Sequence, residues 1–372
     1  MRQIAVIMVM LVMLPAVLAG AVRAQAEAYV LSEAQSGEVL MEKNADESRP
    51  VGSLAKLMTA YVTAQAIADG RLSLDTRLTA GEGVRGMPGA SIWLVPGDTA
   101  TVGELLDGLL IGNANDAALV LAEGVSGDVE TFVMDMNAAA FDLGMRRTRF
   151  TSPQGFDDPA AVSTARDMAR LAAAVLQCDG LEPSLTTWRR VIREDSVPAE
   201  LVNENVLTRT MDGCLGLKAA HSPAAGACLT AAAARDGMVL TAVILGAPDE
   251  DARFTLARQL FREGFAGWQV TAPAFAEEFL RPLPVRGGTA AAVGIRPARM
   301  PLLAVPGDAR LDCTVVLPQY LTAPVTAGQR VGTVYFYHDG ALLGETPLLA
   351  ADPVPRMTWG EAVHQAVRRV AG

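Results

Sequence analysis

Three short apolar segments separated by tight turns restrict the fold more than any other feature of the chain. They cover residues 215–221, 227–234 and 238–245, and Arg235-Asp236-Gly237 separates the second segment from the third. Apolar runs of this length between glycine-containing turns are typical of neighbouring antiparallel strands. Lys218 interrupts the first run, so it lies either in solvent at a sheet edge or towards a site.

The preceding part of the chain predicts one β-hairpin followed by helices. The hairpin joins strands at 28–31 and 39–42 around Gln35-Ser36-Gly37, and residues 71–100 are rich in glycine and proline and predict a long loop. Apolar periodicity and capping residues predict the helices. These helices cover residues 53–68, 101–110, 116–123, 128–144 and 164–177, with a further helix at 250–267. Helices mixed with antiparallel strands predict an α/β (α+β) domain.

Ser53 and Lys56 are three residues apart at the start of the first predicted helix. At this spacing both side chains project from one face, so the lysine nitrogen can reach the serine oxygen. A lysine that is kept neutral by burial or by nearby charge can take the hydroxyl proton and activate the serine. The chain has 31 basic residues but only Lys43, Lys56 and Lys218 are lysines, which suggests that a tunable amine is needed at some of these positions.

An asparagine-rich break, Gly112-Asn113-Ala114-Asn115, separates the helix ending at 110 from the helix at 116–123. It is either a kink with local caps or a means of pointing Asn113 and Asn115 into a site. His221 follows Lys218 on the predicted strand, and a lone histidine is more often structural than catalytic.

Composition and the N-terminus indicate an exported globular protein. The chain has 372 residues, of which 51% are hydrophobic, and a net charge of −10, which argues against nucleic-acid binding. Residues 4–18 form an apolar run behind Arg2, followed by small-residue cleavage sites, so residues 1–24 predict a signal peptide. Export to a bacterial periplasm or cell surface follows, with an uncleaved anchor as the alternative.

The four cysteines show no metal-ligand spacing, and neither a metal nor a cofactor is predicted. Cys214 and Cys228 flank a predicted hairpin and are the candidate disulfide, with free buried thiols as the alternative. Cys178 and Cys313 are the other two.

The C-terminal part predicts a second, all-β region and a tail helix. Short strands at 290–293, 311–317, 331–337 and 341–343 predict a small β-sandwich. Residues 357–372 predict an amphipathic helix, whose apolar face consists of Trp359, Val363, Ala366, Val367 and Val370. The tail either contacts a membrane or docks on the protein itself.

Several motifs occur in the order and at the separations of one known family. They are 51–59 around Ser53-Leu54-Ala55-Lys56, 113–118 beginning Asn113-Ala114-Asn115, 216–222 around Lys218-Ala219-Ala220, and 150–156 with 163–169. Together they resemble the Ser-x-x-Lys, Ser-x-Asn and Lys-Thr-Gly motifs of the serine D-Ala-D-Ala carboxypeptidases, the low-molecular-weight penicillin-binding proteins of the peptidase S11 family.

The resemblance implies a fold, a domain plan and a reaction. The fold is a penicillin-binding/β-lactamase-like serine transpeptidase domain at 25–267, followed by a β-sandwich at 268–353 and a tail helix at 354–372. The tail of the family contacts the outer face of the inner membrane. The reaction removes the terminal D-Ala of peptidoglycan stem peptides, and β-lactams trap the same serine.

The resemblance also implies roles for individual residues. Ser53 is the acyl-ester nucleophile and Lys56 the general base. Asn115 and Lys218 bind substrate, as does the backbone N–H of His221, which completes an oxyanion hole with the N–H of Ser53.

Two motifs depart from the family pattern. Asn113 replaces a proton-relaying serine, and an amide cannot relay a proton in the same way. Ala219 and Ala220 replace Thr-Gly, which removes a hydroxyl that holds the substrate carboxylate. The expectations are therefore a carboxypeptidase that is slow or of altered specificity, a penicillin-binding-like pseudoenzyme that binds wall peptide or a partner, or a β-lactamase. The C-terminal extension weighs against the β-lactamase.

Overall fold

The computed structural model describes residues 26–273 and 280–363, in two compact units that divide between Ala266 and Gly267. The predicted signal peptide at 1–24 and the tail beyond residue 363 lie outside the described residues.

A five-stranded antiparallel sheet forms the framework of the first unit, in the order β2-β1-β9-β8-β7. The strands of this unit are β1 (Ala28–Glu33), β2 (Val39–Lys43), β3 (Arg77–Thr79), β4 (Thr99–Thr101), β5 (Arg189–Ile192), β6 (Ala199–Val202), β7 (Cys214–Ser222), β8 (Gly226–Arg235) and β9 (Met238–Ala247). Strands β7 to β9 confirm the three strands predicted from the apolar segments, and β7 forms one edge of the sheet.

Helices pack on both faces of this sheet. They are α1 (Lys56–Ala68), α2 (Val102–Leu110), α3 (Asn115–Ser126), α4 (Val129–Asp142), α5 (Ala165–Val175), α6 (Glu182–Thr186), α7 (Leu207–Thr210) and α8 (Glu250–Gly267). Helix α1 contacts α2, α3, α4 and α5, and α5 packs on β1 and β9. On the opposite face, Gly264 of α8 lies against Leu31 and Leu240, where a Cβ would approach each leucine to 2.7 Å.

Two local predictions were wrong in detail. Ser53 lies in a 3-10 turn, Gly52–Ala55, and the α-helix begins only at Lys56. Gly52 has a φ of 52°, a left-handed value that bends the chain into this turn. Residues 71–100 are not all loop, because Arg77–Thr79 pairs with Thr99–Thr101 as a short two-stranded sheet.

The second unit is all-β, as predicted. Its strands are β10 (Trp268–Thr271), β11 (Leu283–Arg286), β12 (Ala292–Val293), β13 (Ile295–Pro297), β14 (Leu303–Pro306), β15 (Asp312–Val316), β16 (Leu321–Thr322), β17 (Arg330–His338) and β18 (Ala341–Ala350). They form a four-stranded sheet, β13-β18-β17-β15, a three-stranded sheet and a two-stranded sheet around a core that includes Val334, Phe336 and Leu348.

The start of the tail is helical over residues 359–363, and a capping box between Thr358 and Glu361 begins it. Trp359 is 85% exposed. None of the helices described in 26–273 and 280–363 has the length and apolar content that a membrane span requires.

Candidate active site

Lys56 is the first residue of α1, and its amine is completely buried. Its Nζ lies 2.7 Å from Asn115 Oδ1, 2.9 Å from the carbonyl oxygen of Gln154 and 3.3 Å from Ser53 Oγ. The predicted Ser53–Lys56 contact is therefore present, and two further acceptors hold the amine in place.

Burial lowers the pKa of Lys56 well below its usual value, and the charge of Lys218 lowers it further, while Glu204 acts in the opposite direction. A neutral amine has two hydrogens and one lone pair. The two shorter contacts, to Asn115 and Gln154, use both hydrogens. In this neutral form the lone pair is left for Ser53, whose hydroxyl can donate to it, whereas a charged amine would donate to all three oxygens.

Asn115 is positioned by hydrogen bonds to the loop at residues 88–94. Its Nδ2 donates to the Pro88 carbonyl at 2.7 Å, and its backbone N–H donates to the Ala90 carbonyl at 2.7 Å. The neighbouring Asp116 accepts hydrogen bonds from the backbone N–H of Ile92 and of Leu94. These bonds direct Asn115 Oδ1 at Lys56, so the asparagine-rich break contributes to the site and is more than a kink.

The loop containing Gln154 packs directly on the turn of Ser53. Thr59 Oγ1 donates to the Pro153 carbonyl at 2.7 Å. Gly155 has a φ of 76°, and a Cβ there would lie 2.2 Å from the Gly52 carbonyl oxygen. Sequence reasoning missed Gln154, because it acts through its backbone carbonyl and its residue type carries no signal.

Lys218 lies on edge strand β7 and is 2% exposed. Its Nζ is 3.5 Å from the carbonyl oxygen of Leu110, the last residue of α2, where the helix dipole favours a cation. Burial lowers the pKa of Lys218 to about 8, with Glu204 raising it and Arg253 lowering it further. Lys218 therefore lies inside the molecule, and the solvated-edge alternative is wrong.

The remaining predicted residues flank this cluster. Asn113 Nδ2 donates to both carboxylate oxygens of Glu204, at 3.1 and 3.3 Å. His221 is exposed near the end of β7, while Ala219 and Ala220 are buried. The structure thus joins Ser53, Lys56 and Asn115 in one hydrogen-bonded group, and it places Lys218 close enough for its charge to affect Lys56.

Sequence reasoning also missed two charged side chains at the site, Glu204 and Arg253. Arg253 is 2% exposed, and its Nη1 donates to the carbonyl oxygens of Ala220 at 2.6 Å and Cys228 at 3.3 Å. Its position beside Phe254 on the apolar face of α8 could have predicted that this arginine is buried. Glu204 lies in a loop and had no such signal.

The candidate disulfide between Cys214 and Cys228 is wrong, because all four cysteines are free thiols. Cys214 lies opposite Ala233 in the β7–β8 ladder, whereas Cys228 lies opposite Ala220. Cys228 therefore lies five positions along β8 from Ala233, the residue that faces Cys214. Within the part of the chain that the structure describes, no cluster of three or more His, Cys, Asp or Glu side chains is suited to hold a metal ion.

Two family models match the chain. The model of the Peptidase S11 D-alanyl-D-alanine carboxypeptidases matches residues 16–249. The model of the C-terminal domain of penicillin-binding protein 5 matches residues 307–356.

Individual relatives agree with these matches. The chain is 32% identical to the D-alanyl-D-alanine carboxypeptidase DacC of Escherichia coli, over 88% of this chain and 84% of DacC. It is 29% identical to DacF of Bacillus subtilis, over 89% of this chain and 86% of DacF. The solved structure of penicillin-binding protein 5 from Haemophilus influenzae has a TM-score of 0.81 and 28% identity, and the match covers 89% of this chain and 98% of that one. The chain therefore belongs to the serine-type D-alanyl-D-alanine carboxypeptidases of the peptidase S11 family, with the C-terminal domain of penicillin-binding protein 5.

Proposed function

We propose that this carboxypeptidase removes the terminal D-Ala from peptidoglycan stem peptides through an acyl-enzyme on Ser53. The observation that carries the proposal is the arrangement at Lys56. Its buried Nζ lies 2.7 Å from Asn115 Oδ1, 2.9 Å from the Gln154 carbonyl oxygen and 3.3 Å from Ser53 Oγ, so in the neutral form its lone pair is available to the Ser53 hydroxyl. This arrangement supports a general base next to a nucleophile.

The reaction has two stages. Ser53 Oγ attacks the carbonyl carbon of the penultimate D-Ala, and its proton passes to Lys56 Nζ. The C–N bond breaks, and the terminal D-Ala leaves with a proton on its amine. Water then attacks the ester, the bond to Ser53 Oγ breaks, and the serine recovers its proton.

Backbone donors and positive charge would stabilise the transition state. The N–H of Ser53 lies in the first turn of its 3-10 helix and has no intrahelical acceptor, and we assign the second oxyanion donor to the N–H of His221 on the edge strand. Asn115 would bind the substrate amide, and Lys218 would attract the terminal carboxylate. Arg253 adds a second positive charge behind the strand, where its Nη1 donates to the Ala220 carbonyl.

The altered motifs imply slow turnover or altered specificity. Neither Asn113 nor Ala219 has a hydroxyl, and one lost catalytic contact typically costs about 3–4 kcal/mol of transition-state stabilisation. A variant of the proposal is therefore a protein that acylates on Ser53 but releases product too slowly to contribute to wall trimming. The C-terminal domain argues against a β-lactamase.

β-Lactams should acylate the same serine. A solved relative, penicillin-binding protein D2 of Listeria monocytogenes, is described in its ampicillin-bound form and is 30% identical to this chain, with a TM-score of 0.59 over 65% of it. The family acts on the cell wall, outside the cytoplasm. We assign residues 25–267 to catalysis, 268–353 to a spacer or interaction domain, and 354–372 to peripheral contact with the outer face of the inner membrane, which the exposed Trp359 supports.

Fluorescent penicillin labelling of the purified protein tests the proposal. We expect about one label per wild-type chain and none on Ser53→Ala, with identical circular dichroism for the two proteins. A folded wild-type protein that takes no label, or a Ser53→Ala variant that still takes it, would refute acylation at Ser53. Fast release of the label with hydrolysis of the β-lactam would instead indicate β-lactamase activity.

A further inference from the structure

Asn113 and Glu204 form a direct contact at the rim of the site. They are 91 residues apart in the chain, and both oxygens of the Glu204 carboxylate accept from the Asn113 amide nitrogen. Because a carboxylate only accepts hydrogen bonds, this contact determines which end of the Asn113 carboxamide faces Glu204. The nitrogen end faces the carboxylate, and the oxygen end faces away from it.

The oxygen end of Asn113 is buried and finds no hydrogen-bond partner among the residues that the structure describes. A buried acceptor without a partner lowers the stability of the fold, so such an atom commonly accepts a hydrogen bond from a ligand or from a group that moves. Asn113 also has a φ of 56°, a left-handed conformation that asparagine tolerates better than most residues. The side chain is therefore held in one orientation by its backbone and by Glu204.

Glu204 is also the negative charge that acts on both buried lysines. For Lys218 its carboxylate is the largest charge effect, ahead of the opposing effect of Arg253. For Lys56 the charge of Lys218 has a larger effect than the charge of Glu204. The Glu204 carboxylate thus favours the charged form of Lys218.

We propose that Glu204 is a positioning residue that fixes the orientation of the Asn113 carboxamide and holds Lys218 as an ammonium group. The proposal rests on the proposed function, in which Lys218 attracts the substrate carboxylate beside Ser53 and Lys56. Its geometric basis is the pair of hydrogen bonds from Asn113 Nδ2 to the Glu204 carboxylate.

The chain allows a direct test, because it has only three lysines. Labelling lysine with 13C at Cε gives three signals, which Lys43→Arg and Lys56→Arg assign. The mature wild-type protein is compared with Glu204→Gln, which keeps the size and an acceptor but removes the charge. The control is Glu200→Gln, on β6, whose carboxylate pairs with Arg189 and not with Asn113.

In Glu204→Gln we expect the titration of Lys218 to move to lower pH by about half to one unit, as loss of one nearby charge predicts. In Glu200→Gln we expect no movement. A Lys218 titration that is identical in wild type and Glu204→Gln would overturn the proposal. This measurement needs no turnover, so it separates failure of the Glu204 role from failure of Ser53 acylation, which penicillin labelling reports.

The pH dependence of penicillin acylation gives a second readout. Acylation should slow at high pH as Lys218 loses its proton, and in Glu204→Gln this decline should begin at a lower pH, by the same half to one unit. Glu204→Ala removes the charge and also the acceptor of the Asn113 Nδ2 hydrogen bond. At pH 7 it should therefore slow acylation at least threefold more than Glu204→Gln does. Equal acylation rates in the two variants would show that Glu204 does not orient Asn113.

Discussion

Replacing Lys218 by methionine should make the protein more stable and inactive at the same time. The lysine is 2% exposed, and its pKa falls from 10.5 to about 8 in the folded protein. Each pKa unit corresponds to about 1.36 kcal/mol, so burying this charge costs roughly 3 kcal/mol at neutral pH. Methionine has a similar shape and no charge, and the long 3.5 Å contact to Leu110 is the interaction lost. We expect a gain of about 1–3 kcal/mol for Lys218→Met.

The gain should depend on pH in a defined direction. Below pH 8 the lysine is charged in both the folded and the unfolded state, so its full burial cost applies. Between pH 8 and 10.5 it is charged only in the unfolded state, so wild-type stability rises with pH and the advantage of Lys218→Met shrinks. Above pH 10.5 the lysine is neutral in both states, and the advantage should vanish.

Thermal melting from pH 6 to 10 measures this. A gain of 1–3 kcal/mol corresponds to a rise in Tm of roughly 2–10 °C at pH 7 for a domain of this size. Lys43→Met, on β2 and outside the site, is the matched control, because Lys43 is only partly buried and its replacement should not reproduce the gain of Lys218→Met at pH 7. The reasoning is wrong if Lys218→Met is no more stable than wild type at pH 7, or if its advantage is unchanged at pH 10.

Two further substitutions test the supports of the nucleophile and the altered second motif. Gly155→Ala should lower the free energy of unfolding by about 2–4 kcal/mol and slow penicillin acylation. The new Cβ would lie 2.2 Å from the Gly52 carbonyl oxygen, so either Gln154 or the Ser53 turn must move. Gly144→Ala, with a similar φ of 74° but nothing within 4 Å of its Cβ, should cost only about 1 kcal/mol, and equal losses in the two variants would contradict the clash. Asn113→Ser should raise turnover of a stem-peptide analogue by about tenfold or more, because a hydroxyl can relay the proton, at a backbone cost of about 1 kcal/mol for a left-handed serine. Asn113→Ala is its control, and a serine variant no faster than the alanine variant would rule out the relay.

Local patterns in the sequence predicted the elements and half of the site. The capping box at Thr101 and Glu104 begins α2 where expected, and the turn at Arg235-Asp236-Gly237 joins β8 to β9. Ser53 and Lys56 were predictable because their spacing alone brings them together. Contacts between distant segments carried no such signal. Glu204 reaches Asn113, and the Gln154 carbonyl reaches Lys56, only through the tertiary fold. The cysteines misled because a hairpin flanked by two cysteines need not place them opposite each other.

The edge position of β7 has a consequence for solubility. A nine-residue strand with an open edge is a template for pairing with another molecule and hence for aggregation. Here the first half is protected, since α6 packs on β7 so closely that a Cβ on Gly216 would lie 1.8 Å from the Leu185 carbonyl oxygen. Only the short end from Lys218 to Ser222 remains beside the Ser53 turn. The backbone groups of this end are therefore the part of the edge that lies open to an extended peptide beside Ser53.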